Sequence, residues 1–297
     1  MYIVVNVRNC SFSAGGGYGT GCRFGAVVNS VLRIGQKEET MSSNRIAGLA
    51  VLFVLLGASL ASAGSADEVR LFQSYFYDSP ISQTNHVQPA LEYSSFDGGS
   101  SFQLGADAGL AVNQKVEVQG HFRYMNFSPD EGDGESGLSD IWLFGRYNVH
   151  QNENHNISAG CAVSLPVGKE EIGQGHLNFG GFAALRYNLD NGIVITASAG
   201  LIFYEVTKYK MDTDSMELEE EEEYESSLRA AGGFVYPVND ATSMVGELAM
   251  EDESEFMMVS GGVDHNIGSG RIRIALGAGL DDGAPDIMVM AGFLLDM

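Results

Sequence analysis

The 297-residue chain has little cysteine, three residues in all, and little proline, six. Cys10, Cys22 and Cys161 cannot build a disulfide framework, and no paired-cysteine or Cys/His spacing marks a zinc site. Basic residues are scarce: 16 Lys and Arg stand against 39 Asp and Glu, a formal net charge of -23. That excludes a nucleic-acid partner held by net charge, because phosphate recognition rests on Lys and Arg. Charged residues make up only 19% of the chain, too few for a disordered polyelectrolyte. Glycine, by contrast, is abundant, with 38 residues beside 44% hydrophobic ones. Each glycine weakens a helix interior by about 1 kcal/mol, so the composition leans towards an all-β chain.

The first sixty residues concern destination. Met41-Ser-Ser-Asn-Arg45 is a short positive start, Ile46 to Leu56 an apolar run, and Ala61-Ser62-Ala63 an A-x-A cleavage pattern. The run is too short for a comfortable membrane span. Residues 41–63 therefore read as a secretory signal, and 1–40 as an extension ahead of it, with translation expected to start at Met41. Discounting 1–63 removes five basic and two acidic residues and leaves 11 against 37. An exported, strongly acidic chain results.

From His86 onwards, segments of about ten residues alternate in polarity, the spacing of membrane-barrel strands. They read as 86–96, 101–112, 115–127, 138–149, 155–165, 177–189, 192–205, 224–236, 242–251, 255–267, 271–280 and 286–296. Twelve is an even number. Tight polar turns join alternate pairs: Asn113-Gln114, 151–154, Asp190-Asn191, 239–241 and 268–270. The long connections, 128–137, 166–176 and 206–223, all fall on the opposite side. This segregation predicts a single antiparallel transmembrane β-barrel with short periplasmic turns and longer extracellular loops. Residues 64–85 precede it as a rim or plug.

Parity within strands names two faces. Ile141, Leu143, Tyr147 and Val149 oppose Asp140, Arg146 and Asn148; Ile272, Ile274 and Leu276 oppose Arg271 and Arg273. With the apolar face in lipid, Arg123, Arg146, Arg186, Arg229, Arg271 and Arg273 point inward, leaving Arg70 as the exception after the signal. Glu92, Asp107, Glu117, Asp140 and Glu247 share the inward parity and are expected to pair with them, with His121 in the same polar network. Phe144, Phe182 and Met288 would add apolar contacts along the lumen. Tyr93, Phe127, Trp142, Phe203, Tyr204, Tyr236 and Phe293 lie near strand ends, where interfacial girdles sit. A soluble barrel would alternate equally; the signal, the small residues of the polar face and the loop asymmetry favour the membrane.

Three stretches carry a family resemblance: Gly134-Glu135-Ser136-Gly137-Leu138-Ser139-Asp140-Ile141-Trp142-Leu143-Phe144-Gly145-Arg146-Tyr147, the strand-to-loop run Val163 to Glu171 with its Leu165-Pro166-Val167-Gly168, and Leu276 to Asp286. Over roughly residue 91 to the end, the chain resembles the outer-membrane family named for the MetA-pathway of phenol degradation. The resemblance implies a barrel of about twelve strands moving small, often hydrophobic compounds. The ending Leu295-Asp296-Met297 departs from the usual terminal aromatic.

Catalytic signals are weak. Gly132 to Gly137 matches GxGxxG, but it opens no helix and its own acids repel a pyrophosphate; a flexible loop is the plain reading. No G-x-S-x-G elbow accompanies the dispersed histidines, so no enzyme and no cofactor is expected. The acidic tract 212–223 is either a solvated, self-repelling loop or a Ca²⁺ or Mg²⁺ site through Asp212, Asp214, Glu217 and Glu219, bridging to lipopolysaccharide phosphates.

Two functions follow. One is passive or facilitated diffusion of a small-molecule cargo through the lumen. The other is a structural or surface-interaction barrel with divalent-cation-binding acidic loops as its working part, its lumen closed by paired charges and by the aromatic segment 71–85 with Phe72, Tyr75, Phe76 and Tyr77. The expected partners are outer-membrane lipid and lipopolysaccharide, the barrel-assembly machinery during insertion and the cargo.

Overall fold

The computed structural model describes residues 69–169, 171–211 and 218–297, with backbone alone at 208–211 and 218–221. The expected signal and the extension before it lie outside the described residues. Thirteen strands follow one another: β1 His86–Phe96, β2 Gly99–Asn113, β3 Val116–Pro129, β4 Glu135–Leu138, β5 Ile141–Gln151, β6 His155–Leu165, β7 Phe179–Asn188, β8 Val194–Met211, β9 Leu218–Asn239, β10 Thr242–Glu251, β11 Phe256–Asn266, β12 Arg271–Gly279 and β13 Ile287–Asp296. All neighbours are antiparallel, and β1 closes the ring by pairing with β13, His86 opposite Asp296 and Ser95 opposite Ile287. β4 and β5 share one place in the wall, pairing with the outer and inner halves of β3. The result is a closed barrel of twelve positions. Closure matters because hydrocarbon offers no water to an unpaired backbone group.

The turns at one end are built alike. Asn113, Asn152, Asn191, Asn239 and Asn266 each accept, through Oδ1, the backbone N–H two residues on. This Asx geometry reverses the chain within a few residues. Gly192 and Gly268, at φ 80° and 86°, supply the left-handed positions that two of these turns need. Both ends of the ring segment lie at this periplasmic end, where Met297 donates its N–H to the Asn85 carbonyl.

Two expectations need correction at the opposite, extracellular end. The stretch 206–223 is largely strand, because β8 runs to Met211 and β9 begins at Leu218. The backbone register sets Lys208 opposite Glu221 and Lys210 opposite Glu219. The GxGxxG stretch is half strand, since Glu135–Leu138 forms β4 against β3. The β1–β2 connection is only two residues long, Asp97 and Gly98. Of the tract assigned to metal, Asp212, Asp214 and Glu217 lie outside the described residues, as does the Glu219 side chain.

Burial is inverted relative to a water-soluble protein. Leu104, Leu110, Val112, Leu143, Val149, Ile195, Ile274, Leu276 and Ile287 are exposed, whereas Arg123, Arg146, Arg186, Arg271, Arg273, Asp107, Glu117 and Asp264 are buried. In water such an exterior would aggregate; in a bilayer it is matched to its solvent. Within the expected girdle, Tyr204 and Trp142 are exceptions. Tyr204 is buried and donates to Glu251 Oε1 at 2.7 Å, and Trp142 stacks on Phe144 inside the wall. A terminal position along a strand does not decide its face; parity does.

Ile274 sits outside β12 at 51% exposure. Replacing it with arginine should lower the unfolding free energy in lipid vesicles by about 2–4 kcal/mol. Urea-midpoint shifts would measure this, and an unchanged midpoint would mean that the face meets water.

Candidate permeation site

Residues 69–85 enter the lumen from the periplasmic end, turn and return. Val69 and Leu71 pack against Val194, Val235, Val245 and Ala275, all near that end. A single 3-10 turn, Tyr75–Tyr77, forms the apex. It packs on Phe144, Ala162, Phe182, Ile202 and Tyr204, with the Phe76 and Phe144 rings stacked at 4.5 Å. The return limb reaches Ser158 of β6 through Ser79, Glu117 of β3 through the Ser82 N–H, and Asp296 through Thr84. Two wall glycines make room. A β-carbon on Gly233 would lie 2.7 Å from Leu71, and one on Gly262 2.7 Å from Phe72, both inside contact distance.

Charge fixes this plug. The Glu247 carboxylate on β10 accepts the backbone N–H groups of Phe72, Gln73 and Ser74 at 2.9, 2.9 and 2.8 Å. Arg273 on β12 donates to the Arg70 and Leu71 carbonyls at 2.6 and 2.9 Å. Asp78 gathers both limbs: it accepts from the Leu71 and Ser79 N–H groups, from Thr196 Oγ1 and from Arg186 Nη2. Arg146 donates to the Asp78 carbonyl and pairs with Glu117 at 3.1 Å, where Arg70 also binds at 2.9 Å.

The expected inward residues thus divide into groups. Glu117, Arg146, Arg186, Glu247 and Arg273 hold the plug. Asp107, His121 and Arg123 form one cluster above it, with Asp107 Oδ1 2.9 Å from His121 Nδ1 and 2.8 Å from Arg123 Nη1. Arg271 binds Asp264 at 2.6 Å near the periplasmic end. Arg229 meets Glu251 at 3.4 Å and lies 4.8 Å over the Tyr77 ring. Phe144 and Phe182 flank Tyr77. Met288 stands apart from them, buried beside Met258 and Ala284, although its sulfur accepts from the plug's Gln73.

Four readings change. Arg70, set aside as the exception, is inside and paired with Glu117. Glu92 accepts from Ser94 and Gln103, Glu247 from plug backbone, and Asp140 from the N–H groups of Gly168, Gln174 and Gly175, rather than from arginines. In each case neutral donors lie closer than any guanidinium. Two further wall acids, Asp264 and Glu251, pair with arginines, and strand parity marks both as inward. The plug anchors Arg70 and Asp78 sit in a segment without periodicity; two opposite charges inside an aromatic run were the only signal.

Above the plug is a cavity of about 410 Å³, open towards the extracellular loops. Phe72, Phe76, Trp142, Phe144 and Tyr204 give it aromatic walls; Gln88, Glu92, Gln103 and the Asp107 cluster give it polar groups. Ser139 on this wall donates to the Arg123 and Asp140 carbonyls.

A closed barrel with a hydrocarbon exterior and a charged, plugged interior defines an outer-membrane barrel protein. The chain belongs to the family described as "Putative MetA-pathway of phenol degradation", whose sequence model matches residues 78–286. Its fold is similar to that of the outer membrane channel from Pseudomonas putida F1, at 12% identity and a TM-score of 0.58, covering 77% of this chain and 100% of that one. It is also similar to the KdgM porin in complex with disordered oligogalacturonate, at 9% identity and a TM-score of 0.50, covering 71% and 99%. No curated protein matches the chain in sequence.

Burial works against charge on Asp78, but Arg186, Thr196 and two backbone N–H groups outweigh it and hold the carboxyl below its ordinary value. A depressed carboxyl stabilises the folded plug above the unfolded pKa, about 3.9, and the contribution is lost as pH falls through the lower folded value. Protection of the amides in 69–85, taken relative to the unfolded chain at the same pH, should therefore fall only below about pH 4, and Asp78→Asn should weaken that acid dependence. Glu247→Ala would strand three N–H groups, at about 1–3 kcal/mol each, and raise exchange at 72–74 at neutral pH.

Proposed function

We propose that the protein is an outer-membrane channel of a Gram-negative cell, exported by way of 41–63, that passes small compounds with an aromatic or otherwise apolar body by passive or facilitated diffusion. The observation that carries this reading is the outer cavity. At about 410 Å³ it suits a small organic molecule, and it combines ring faces with a few fixed polar groups, the usual composition of a small-molecule site. Selectivity would come from those side chains without any covalent step. Lipopolysaccharide and lipid surround the wall, and the barrel-assembly machinery inserts it.

One feature favours the second reading, a structural barrel with a closed lumen: the plug contacts the inward faces of β3, β5, β6, β7, β8, β10 and β12. Uptake of a monocyclic aromatic alcohol at limiting concentration separates the two. A deletion strain should take it up several-fold more slowly than its parent, and the purified protein should conduct in planar bilayers. Silent bilayers together with unchanged uptake would leave the closed barrel as the answer.

A further inference from the structure

The plug stands between two cavities. The outer one is described above; a second, of about 200 Å³, lies on the periplasmic side among Arg70, Ser82, His86, Arg271, Arg273 and Asp296. Tyr75 is the one residue that lines both. Its side chain is buried, with one face of the partition towards Phe76 and the outer cavity and the other towards the arginines of the inner one.

We propose that Tyr75 is the gate, and that permeation runs past this single side chain along the β1 and β12 side of the lumen while the plug backbone stays in place. The proposal rests on the channel reading and adds the route and the moving part. What holds Tyr75 is local: its hydroxyl lies 3.0 Å from His86 Nε2, and the Arg70 and Arg273 guanidinium groups lie 5.0 Å from its ring centre. What holds the plug is spread over the wall and does not pass through the Tyr75 side chain. Glu247 grips the backbone of 72–74, Arg273 the carbonyls of 70 and 71, and Asp78 both limbs. Withdrawing the plug would break all of these together and leave buried charges facing one another across an emptied lumen. Turning one tyrosine breaks one hydrogen bond and the ring contacts with Arg70, Arg273, Phe76 and His86, and leaves those backbone anchors in place. Local side-chain motion is also far faster than the unfolding of a packed segment.

The neighbours of Tyr75 suit this role. His86 opens β1, so the hydroxyl is anchored to the wall and not to the plug. Gln88, two residues along the same strand, lines the outer cavity and accepts from Arg273, which lines the inner one. The Gln88–Arg273 bond, which crosses β13 at Gly292, therefore joins the linings of the two chambers beside the Tyr75 ring.

Single-channel recording on the full-length protein tests the assignment with four chains: wild type, Tyr75→Phe, Tyr75→Ala, and a chain carrying both Asp78→Ala and Glu247→Ala to loosen the whole plug. Folding of each is checked by its heat-dependent mobility on a gel. Wild type should open rarely. Tyr75→Phe keeps the ring but loses the hydroxyl bond, and should raise open probability about tenfold at unchanged unit conductance. Tyr75→Ala removes the partition and should give a long-lived open state. If Tyr75→Ala behaves as wild type while the loosened chain conducts, the whole plug moves and the gate is overturned, with the channel reading intact. A wild type already as open as Tyr75→Ala overturns the gate equally. Silence from all four folded chains removes the channel reading and the gate with it.

Discussion

The interior of a bilayer contains no water, and every other feature of the molecule follows from that. Each backbone N–H and C=O must find its partner within the wall, which rules out an open edge and makes β1 pair with β13. Each guanidinium must be kept from hydrocarbon, which fixes the phase of β3, β5, β7, β9 and β12. On β12 the inward places are Arg271 and Arg273 and the outward ones Ile272, Ile274 and Leu276; a shift of one residue would exchange the sets. Register is therefore specified by the cost of error on both faces at once.

Placing the arginines inside creates a second requirement, because a confined charge without a counter-ion is costly. The wall meets part of it: Arg123 with Asp107, Arg271 and Arg273 with Asp264, Arg229 with Glu251. The plug meets the rest. Asp78 serves Arg186, Arg70 joins Arg146 on Glu117, and the amides of 72–74 satisfy Glu247. Neither part is electrostatically complete alone, so wall and plug stabilise each other. The aromatic apex adds area burial that charge pairing by itself does not provide, against rings that the wall presents at Phe144 and Phe182.

The wall was legible in the sequence for the reason that makes it stable. Alternation, turn asparagines and the two-sided cost of misplacing arginine are written in single positions, and 86–96, 155–165 and 242–251 coincide with β1, β6 and β10. Ends were less legible where pairing outlasts the membrane: the β8–β9 hairpin continues through Glu219 to Glu223 because partner residues on β8 stand opposite, a fact that exists only once the register is known. Roles were harder than faces. Parity sends Glu92, Asp140 and Glu247 inward correctly, but whether a carboxylate meets a guanidinium or an amide depends on which segment passes it. Arg70 and Asp78 lie in a stretch with no period, so only the folded chain shows what they hold.

The width of a twelve-position ring gives the plug its character. A narrower barrel is filled by its own side chains, and a sixteen-stranded one leaves a water channel. Here the wall carries glycines beside the plug, Gly233 at Leu71 and Gly262 at Phe72, and a separate segment fills interior volume. A segment that is not part of the ladder can be shaped without disturbing closure. It fills the lumen unevenly, dense at Leu71 and Asp78 and thin at Tyr75, and this leaves the chambers of about 410 and 200 Å³ on either side of one ring. A plug anchored at many points and thin at one separates two demands that conflict in a plain pore: holding a tight seal against the outside, and opening without dismantling the charge network that keeps the barrel's interior paired.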